Sequence, residues 1–269
     1  YIDNFKLVDE GRFLEAETDA LLRGAKYPAR MPGKNIADLK AHVAANAKGL
    51  VELERMVAHF GLEVVKAYMR HVQDNAEESV RRLLARLKDG AFRVEMDQGT
   101  HVEVRIKVDQ AARTAVVDFT GTSEEQRGNN FNAPEPVTRA ATLYVFRVMC
   151  EAPIPMNAGC LKPLDIRIPD RCMLKPAFPA AVVAGNVETS QIVTNCLFAA
   201  MKAMGPSQGT MNNTLFGNAR FGYYETVCGG TGAGPGFAGA SAVHSHMTNT
   251  RITDPEVLEA RYPVRLERF

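Results

Sequence analysis

The sequence predicts an α+β fold: a long helical hairpin on the N-terminal side, then a mixed or antiparallel sheet with helices packed on it. Apolar residues recur at a helical period through residues 36–90, after which the period drops to two. Helices and strands also come in runs, without the strict βαβ alternation of a doubly wound parallel sheet.

Residues 1–35 read as an irregular lead-in closed by Pro28, Pro32 and Gly33. In "NIADLKAHVAANAKGLVELERMVAHFG" the residues Ile36, Leu39, Val43, Leu50, Leu53 and Val57 fall on one helical face. Asn35 reads as its N-cap and Gly61 as its stop. A second helix follows through "LEVVKAYMRHVQDNAEESVRRLLARLKDG", with Val64, Tyr68, Val72, Val80 and Leu84 inward and an end near Gly90. So short a joint predicts an antiparallel hairpin. Next, "FRVEMD", "HVEVRIKVD" and "TAVVDFTG" alternate like half-buried strands of a meander. "NAPEPVTRAATLYVFRVMC" returns to helix, "LDIRIPD" and "AAVVAG" read as strands, and "TSQIVTNCLFAAMKAMG" as a helix. The closing "YPVRLERF" reads as one more strand. The expected organisation is a lead-in (1–35), a helical arm (36–90) and an α+β core (91–269), with arm and core one domain of a longer polypeptide.

Of 269 residues, 46% are hydrophobic and 23% charged, which suffices for a large core. A net charge of +1 argues against nucleic acid or an anionic membrane as partner. No apolar run approaches the roughly 20 residues that a bilayer span needs. The five cysteines are odd in number, scattered and never paired as CxxC. They argue against a disulfide framework or a zinc cluster and fit a reducing, cytoplasmic compartment.

Polar chemistry gathers in the second half. "GNVETSQIVTN" sets Asn186, Glu188, Thr189, Ser190 and Gln191 where an apolar run hands over to a helix. One reading is a cap, with Thr189 or Ser190 bonding the first turn and Glu188 complementing the dipole. The other is a helix start facing a pocket, with Asn186, Glu188 and Gln191 on a polar substrate. "VCGGTGAGPGFAG" is glycine-rich but lacks the P-loop lysine, which excludes that nucleotide motif; it reads as a surface loop or a place of close backbone approach. "HSHMTNTR" puts His244 and His246 on one face if the segment is a strand. Such a pair without a third ligand is a weak metal signal, and Asn249 and Arg251 beside it suit an anion subsite. Cys160 has no basic neighbour in sequence and reads as a buried thiol rather than a nucleophile.

Taken in order, "VDFTGTS", "NNFNAP", "IPMNAGCLKPL", "PAAVVAGNVETSQ", "SQGTMNN", "YYETVCGGTGAGPG" and "VHSHMTNTR" resemble the hydantoinase B/oxoprolinase family. Several motifs in register are far more specific than any one of them. Within the family the chain looks most like the B-type region of members that open 5-oxo-L-proline to L-glutamate. The resemblance implies hydrolysis of a cyclic amide driven by ATP, with phosphoryl activation in an actin-like A-type region or subunit. Asn186, Glu188 and Gln191 match one of the family's motifs, and on our reading of that match Glu188 would be a water-orienting base, with Asn186 and Gln191 beside it as catalytic amides. Thr189, Ser190, Gln208, Asn212, Asn213, His244, His246, Asn249 and Arg251 would be substrate contacts, Arg251 pairing with a carboxylate. ATP would lie in the A-type region, and a divalent Mg or Mn would be held mainly by residues upstream of this chain, which alone should be inactive. An oligomeric assembly is expected. Hydantoin hydrolysis and ketone carboxylation are related activities of the family, and a non-catalytic interaction module is the competing class.

Overall fold

The structure, a computed structural model, describes residues 2 and 4–268. The chain divides into two compact units, Tyr1–Arg70 and His71–Phe269.

In the first unit the expected irregular lead-in is ordered instead. Strands β1 (Val8–Asp9) and β2 (Arg12–Phe13) pair across Glu10 and Gly11, both at positive φ as a tight hairpin turn demands. Helix α1 (Glu15–Gly24) follows and packs against α2 (Pro32–Phe60). Helix α2 starts at Pro32, not after Asn35, because a proline at the first helical position has no N–H to leave unpaired. It ends at Gly61, whose φ of 84° suits glycine.

Helix α3 (Leu62–Leu84) begins one residue later. Leu50, Leu53, Val64 and Val72, four of the residues read as the inward faces of the two helices, are exposed.

In the second unit the last turns of α3 bury Ala76, Val80, Leu83 and Leu84 in the core. The sheet comprises β3 (Gly90–Glu95), β4 (His101–Asp109), β5 (Thr114–Asp118) and β6 (Leu164–Arg167), hydrogen-bonded in that order. The pairings are antiparallel except β5 with β6, which is parallel. That parallel step needs a crossover, and α4 (Glu135–Val148) provides it. Along β4, Val102, Val104 and Ile106 are buried while Arg105 and Lys107 are exposed, the alternation expected of a strand with one wet face.

Helix α5 (Thr189–Ala200) packs on α4 and across β3 and β4. The approach is close enough that a Cβ on Gly90 would sit 2.0 Å from the Ala200 carbonyl oxygen. A hairpin of β7 (Asn213–Gly217) and β8 (Gly222–Thr226), the glycine-rich loop and the short helix α6 (Pro255–Arg261) complete the unit.

Two expected strands, and one segment weighed as a strand only conditionally, differ. "AAVVAG" is no strand: Val183–Gly185 make a 3₁₀ turn, with Ala184 N–H donating to the Asn130 carbonyl and Val183 exposed. Residues 244–246 lie in irregular chain and a turn, with His246 at a φ of 57°, so the two histidines do not share a strand face. Residues 262–268 are irregular, and Phe269 lies outside the described residues.

Candidate functional site

The site is built on the first turns of α5. A Cβ on Gly185 would lie 2.4 Å from the Asn132 carbonyl oxygen, so the chain enters α5 pressed against the loop before α4. Asn132, fully buried, holds that loop. Its Oδ1 accepts from Gln126 N–H at 2.7 Å, and its Nδ2 donates to the carbonyls of Gln126 and Ala181.

The cap reading of "ETSQ" does not hold. Glu188 occupies the N-cap position without bonding the first turn. Thr189, fully buried, donates its hydroxyl to the Phe131 carbonyl. Ser190 donates back to the Asn186 carbonyl at 2.7 Å. The helix start is buried, so these groups bond to what packs on them rather than to free N–H groups in solvent.

Glu188 is half-buried, and its Oε1 accepts from the Thr210 hydroxyl at 2.7 Å. Gln191, buried, clamps the 245–248 turn. Its Oε1 accepts from Met247 N–H at 3.0 Å, and its Nε2 donates to Thr248 Oγ1 at 3.2 Å and to the Ser245 carbonyl. One turn later Asn195 accepts from both the N–H and the hydroxyl of Ser207, fixing the start of "SQGTMNN". Two side chains of α5 thus draw together loops that lie far apart in sequence.

Between these loops is a polar cavity of about 10 Å³, lined by Gln191, Ser207, Gln208, Thr210 and His244 together with the backbone of Gly229 and Gly230. The glycines have a specific reason: a Cβ on Gly229 would stand 2.3 Å from Gln208 Oε1. That volume is close to the minimum for one water and far below any substrate ring. His244 Nε2 is buried with no partner among the described residues, which a water in the cavity would supply.

Of the residues singled out from sequence, Gln191, Gln208 and His244 line the cavity directly. Glu188 is one hydrogen bond away through Thr210, and Asn212 one away through Gln208, at 2.7 Å each. Asn186 is exposed at the helix start.

His246 faces the other way, its ring 5.2 Å from that of Phe198 and its Nδ1 3.4 Å from the Tyr144 hydroxyl. Burial there pushes its pKa down to about 4, so it is neutral at physiological pH. Asn213 pins the β7–β8 hairpin, accepting from the Thr226 hydroxyl at 3.1 Å. Asn249 and Arg251 are exposed and lie outside the cavity lining. Cys160 is fully buried in the apolar core.

Thr210, Asn195, Ser207 and Tyr144 escaped the sequence reading. Their roles rest on contacts with residues 12 to 102 positions away, although Thr210 sits inside the quoted "SQGTMNN".

Among the described residues, no three His, Cys, Asp or Glu side chains come together as metal ligands would. The site brings together amides, hydroxyls and the His244 ring, with the Glu188 carboxylate one hydrogen bond away. Nor is any helix among the described residues long and apolar enough to cross a membrane.

The model of the family described as hydantoinase B/oxoprolinase matches residues 1–269. A 5-oxoprolinase of Dictyostelium discoideum is 44% identical over 277 residues, covering 100% of this chain and 22% of that protein. Arabidopsis thaliana 5-oxoprolinase 1 is 43% identical, with 100% of this chain and 23% of the relative covered. A putative D-/L-hydantoinase component of a Pseudomonas species is 25% identical, with 89% of this chain and 45% of the relative covered. The chain therefore spans under a quarter of the length of the two oxoprolinases. In fold it is similar to an ATP-dependent caprolactamase from Pseudomonas jessenii, with a TM-score of 0.77 at 20% identity over 99% of this chain and 49% of that one. An acetone carboxylase gives a TM-score of 0.72 at 15% identity over 95% of this chain and 38% of that one.

Proposed function

The chain belongs to the hydantoinase B/oxoprolinase family, and from that premise we propose that it is the B-type part of an ATP-dependent hydrolase that opens 5-oxo-L-proline to L-glutamate. The oxoprolinase relatives are 43–44% identical across the whole chain, whereas the hydantoinase component is 25% identical, which favours oxoproline over hydantoins.

The observation that carries the reading is the water-sized polar cavity beside Glu188, into which Gln191, Gln208, Thr210 and His244 converge. Opening a cyclic amide needs one water brought to the ring carbonyl carbon and a base for its proton. In this reading the cavity is where that water waits. The Thr210 hydroxyl engages Glu188 Oε1 and orients the carboxylate, leaving its other oxygen to accept the proton. The substrate ring is too large for the cavity and lies outside it, with the exposed Asn186 and the half-buried Asn212 as amide contacts and Arg251 as partner of the substrate carboxylate. Thr189, Ser190, Asn213 and His246 act by holding that surface in place, not by touching the ring.

ATP and any divalent metal belong to regions outside this chain, the first in an A-type region or subunit that activates the amide. The test is an assay of the complete enzyme, measuring ATP-coupled glutamate release from 5-oxoproline beside hydantoin hydrolysis and carboxylation of a small ketone. Glutamate release as the dominant activity is expected. Turnover of hydantoin or ketone in its place contradicts the substrate assignment.

A further inference from the structure

The side chains around the polar cavity are mostly engaged with one another. Gln191 commits both ends of its amide to the 245–248 turn. Ser207 bonds Asn195, Gln208 Oε1 accepts from Asn212, and the Thr210 hydroxyl donates to Glu188. His244 differs: it lines the cavity, and its Nε2 is buried with no partner among the described residues. The backbone that carries it is held from two directions. Gln191 clamps the residues that follow, and the Ser245 hydroxyl donates to the Gly230 carbonyl at 3.1 Å. An imidazole fixed in this way, with one nitrogen open beside a water-sized space, suits the binding of a water.

A carboxylate not yet given a role lies within electrostatic reach of this ring. Glu225, half-buried on β8, accepts from the Tyr223 hydroxyl and from Thr253 N–H, one partner for each oxygen. Burial works against its charge, yet those bonds, with the His244 ring nearby, hold its pKa below the usual carboxylate range. Beyond Thr226 the chain runs on into Val227, Gly229 and Gly230 of the cavity wall, so carboxylate and cavity belong to one stretch of chain.

We propose that His244 is a second catalytic residue of this site, its Nε2 accepting a hydrogen bond from the attacking water, and that Glu225 is the positioning residue that acts through it. The proposal rests on the reading that the cavity holds that water. In this arrangement the imidazole proton sits on Nδ1, and Nε2 keeps its lone pair for the water. Glu188 takes the proton that leaves as the water oxygen bonds to the amide carbon. His244 takes none, and fixes the direction from which the oxygen lone pair arrives. The Glu225 charge favours the positive character that the imidazole gains on accepting this bond.

The experiment is steady-state kinetics of ATP-coupled ring opening by the complete enzyme, with thermal unfolding of each variant alongside. It uses whichever cyclic amide the enzyme turns over, so a wrong substrate assignment does not mask the outcome. His244→Asn should lower kcat by about 10²-fold with KM little changed. His244→Gln, whose amide oxygen reaches about as far as Nε2, should recover at least about fivefold of that loss. Glu225→Gln keeps an acceptor for Thr253 N–H and loses only the charge. It should lower kcat about tenfold in the wild type but no more than about twofold in His244→Asn, because its effect passes through the histidine. A Glu225→Gln loss that multiplies undiminished onto that of His244→Asn overturns the positioning role. A folded His244→Gln no faster than His244→Asn overturns the acceptor role. His244→Asn within about threefold of wild type, beside a slow Glu188→Gln, overturns the part of His244 and leaves the cavity reading standing. Wild-type rates in both would overturn the cavity reading as well.

Discussion

Helices α5 and α2 break the usual rule of burial in opposite directions. The first two turns of α5 bury Thr189, Ser190, Gln191, Thr194 and Asn195. The last turns of α2 expose Leu50, Val51, Leu53, Met56 and Phe60. Buried polar groups are tolerated only with partners, and each of those α5 side chains has one. Contiguous exposed apolar side chains mark a surface meant for something else. The lesson is that residue type predicts burial poorly at places that organise a site or an interface. Helix α5, uncharged and buried along its polar side as well as its apolar one, holds the loops of the candidate site together, whereas the last turns of the charged helix α2 leave an apolar stripe exposed.

The largest expected effect breaks this contrast on the polar side. Asn132→Leu removes the acceptor for Gln126 N–H and strands two carbonyls in a buried place. It should cost about 3–5 kcal/mol in denaturant unfolding of the chain. A loss below about 1 kcal/mol would mean that water reaches these groups and that the loop before α4 is not sealed.

A second effect is pH-dependent. His246 has its folded-state pKa depressed to about 4 by burial, against about 6.5 when unfolded. The unfolded chain then binds the proton first as pH falls. Stability is therefore complete above about pH 6.5 and is lost progressively down to about pH 4, by on the order of 2–3 kcal/mol. His246→Asn keeps a residue that accepts positive φ and removes the titration, so its stability should be flatter across that window. An equal slope in wild type and variant would show that the ring is hydrated and not desolvated.

The smallest effect belongs to α2. Leu50→Ser should change the unfolding free energy of the monomer by no more than about 0.5 kcal/mol, despite removing a leucine. A cost of about 2 kcal/mol or more would mean that the stripe is packed within the chain.

These contrasts explain what could be read from the sequence. The strands β3 to β5 were legible because each has one wet face, and Val102, Val104 and Ile106 print their alternation directly into the residue order. The helices α2 to α5 were legible from period and from stops such as Gly61. What failed were segments whose environment is set at long range. "AAVVAG" has the composition of a strand, but its hydrogen bonds go to Asn130, to the Asn132 side chain and to nearby turns rather than to a strand ladder. At the site, "ETSQ", "SQGTMNN" and "HSHMTNTR" were seen as polar clusters, and Gln191, Gln208 and His244 do meet. The residues that tie them, Thr210 and Asn195, act on groups 22 and 12 positions away, which no local period encodes.

The central claim is that Glu188, held by Thr210 next to the polar cavity, takes the proton of the attacking water. Glu188→Gln in the complete enzyme tests it most directly, because the amide keeps an acceptor for the Thr210 hydroxyl and loses only its basicity. The account predicts that kcat for oxoproline hydrolysis falls by about 10²–10⁴ with KM and thermal stability little changed. A variant that releases glutamate within about threefold of the wild-type rate would contradict it.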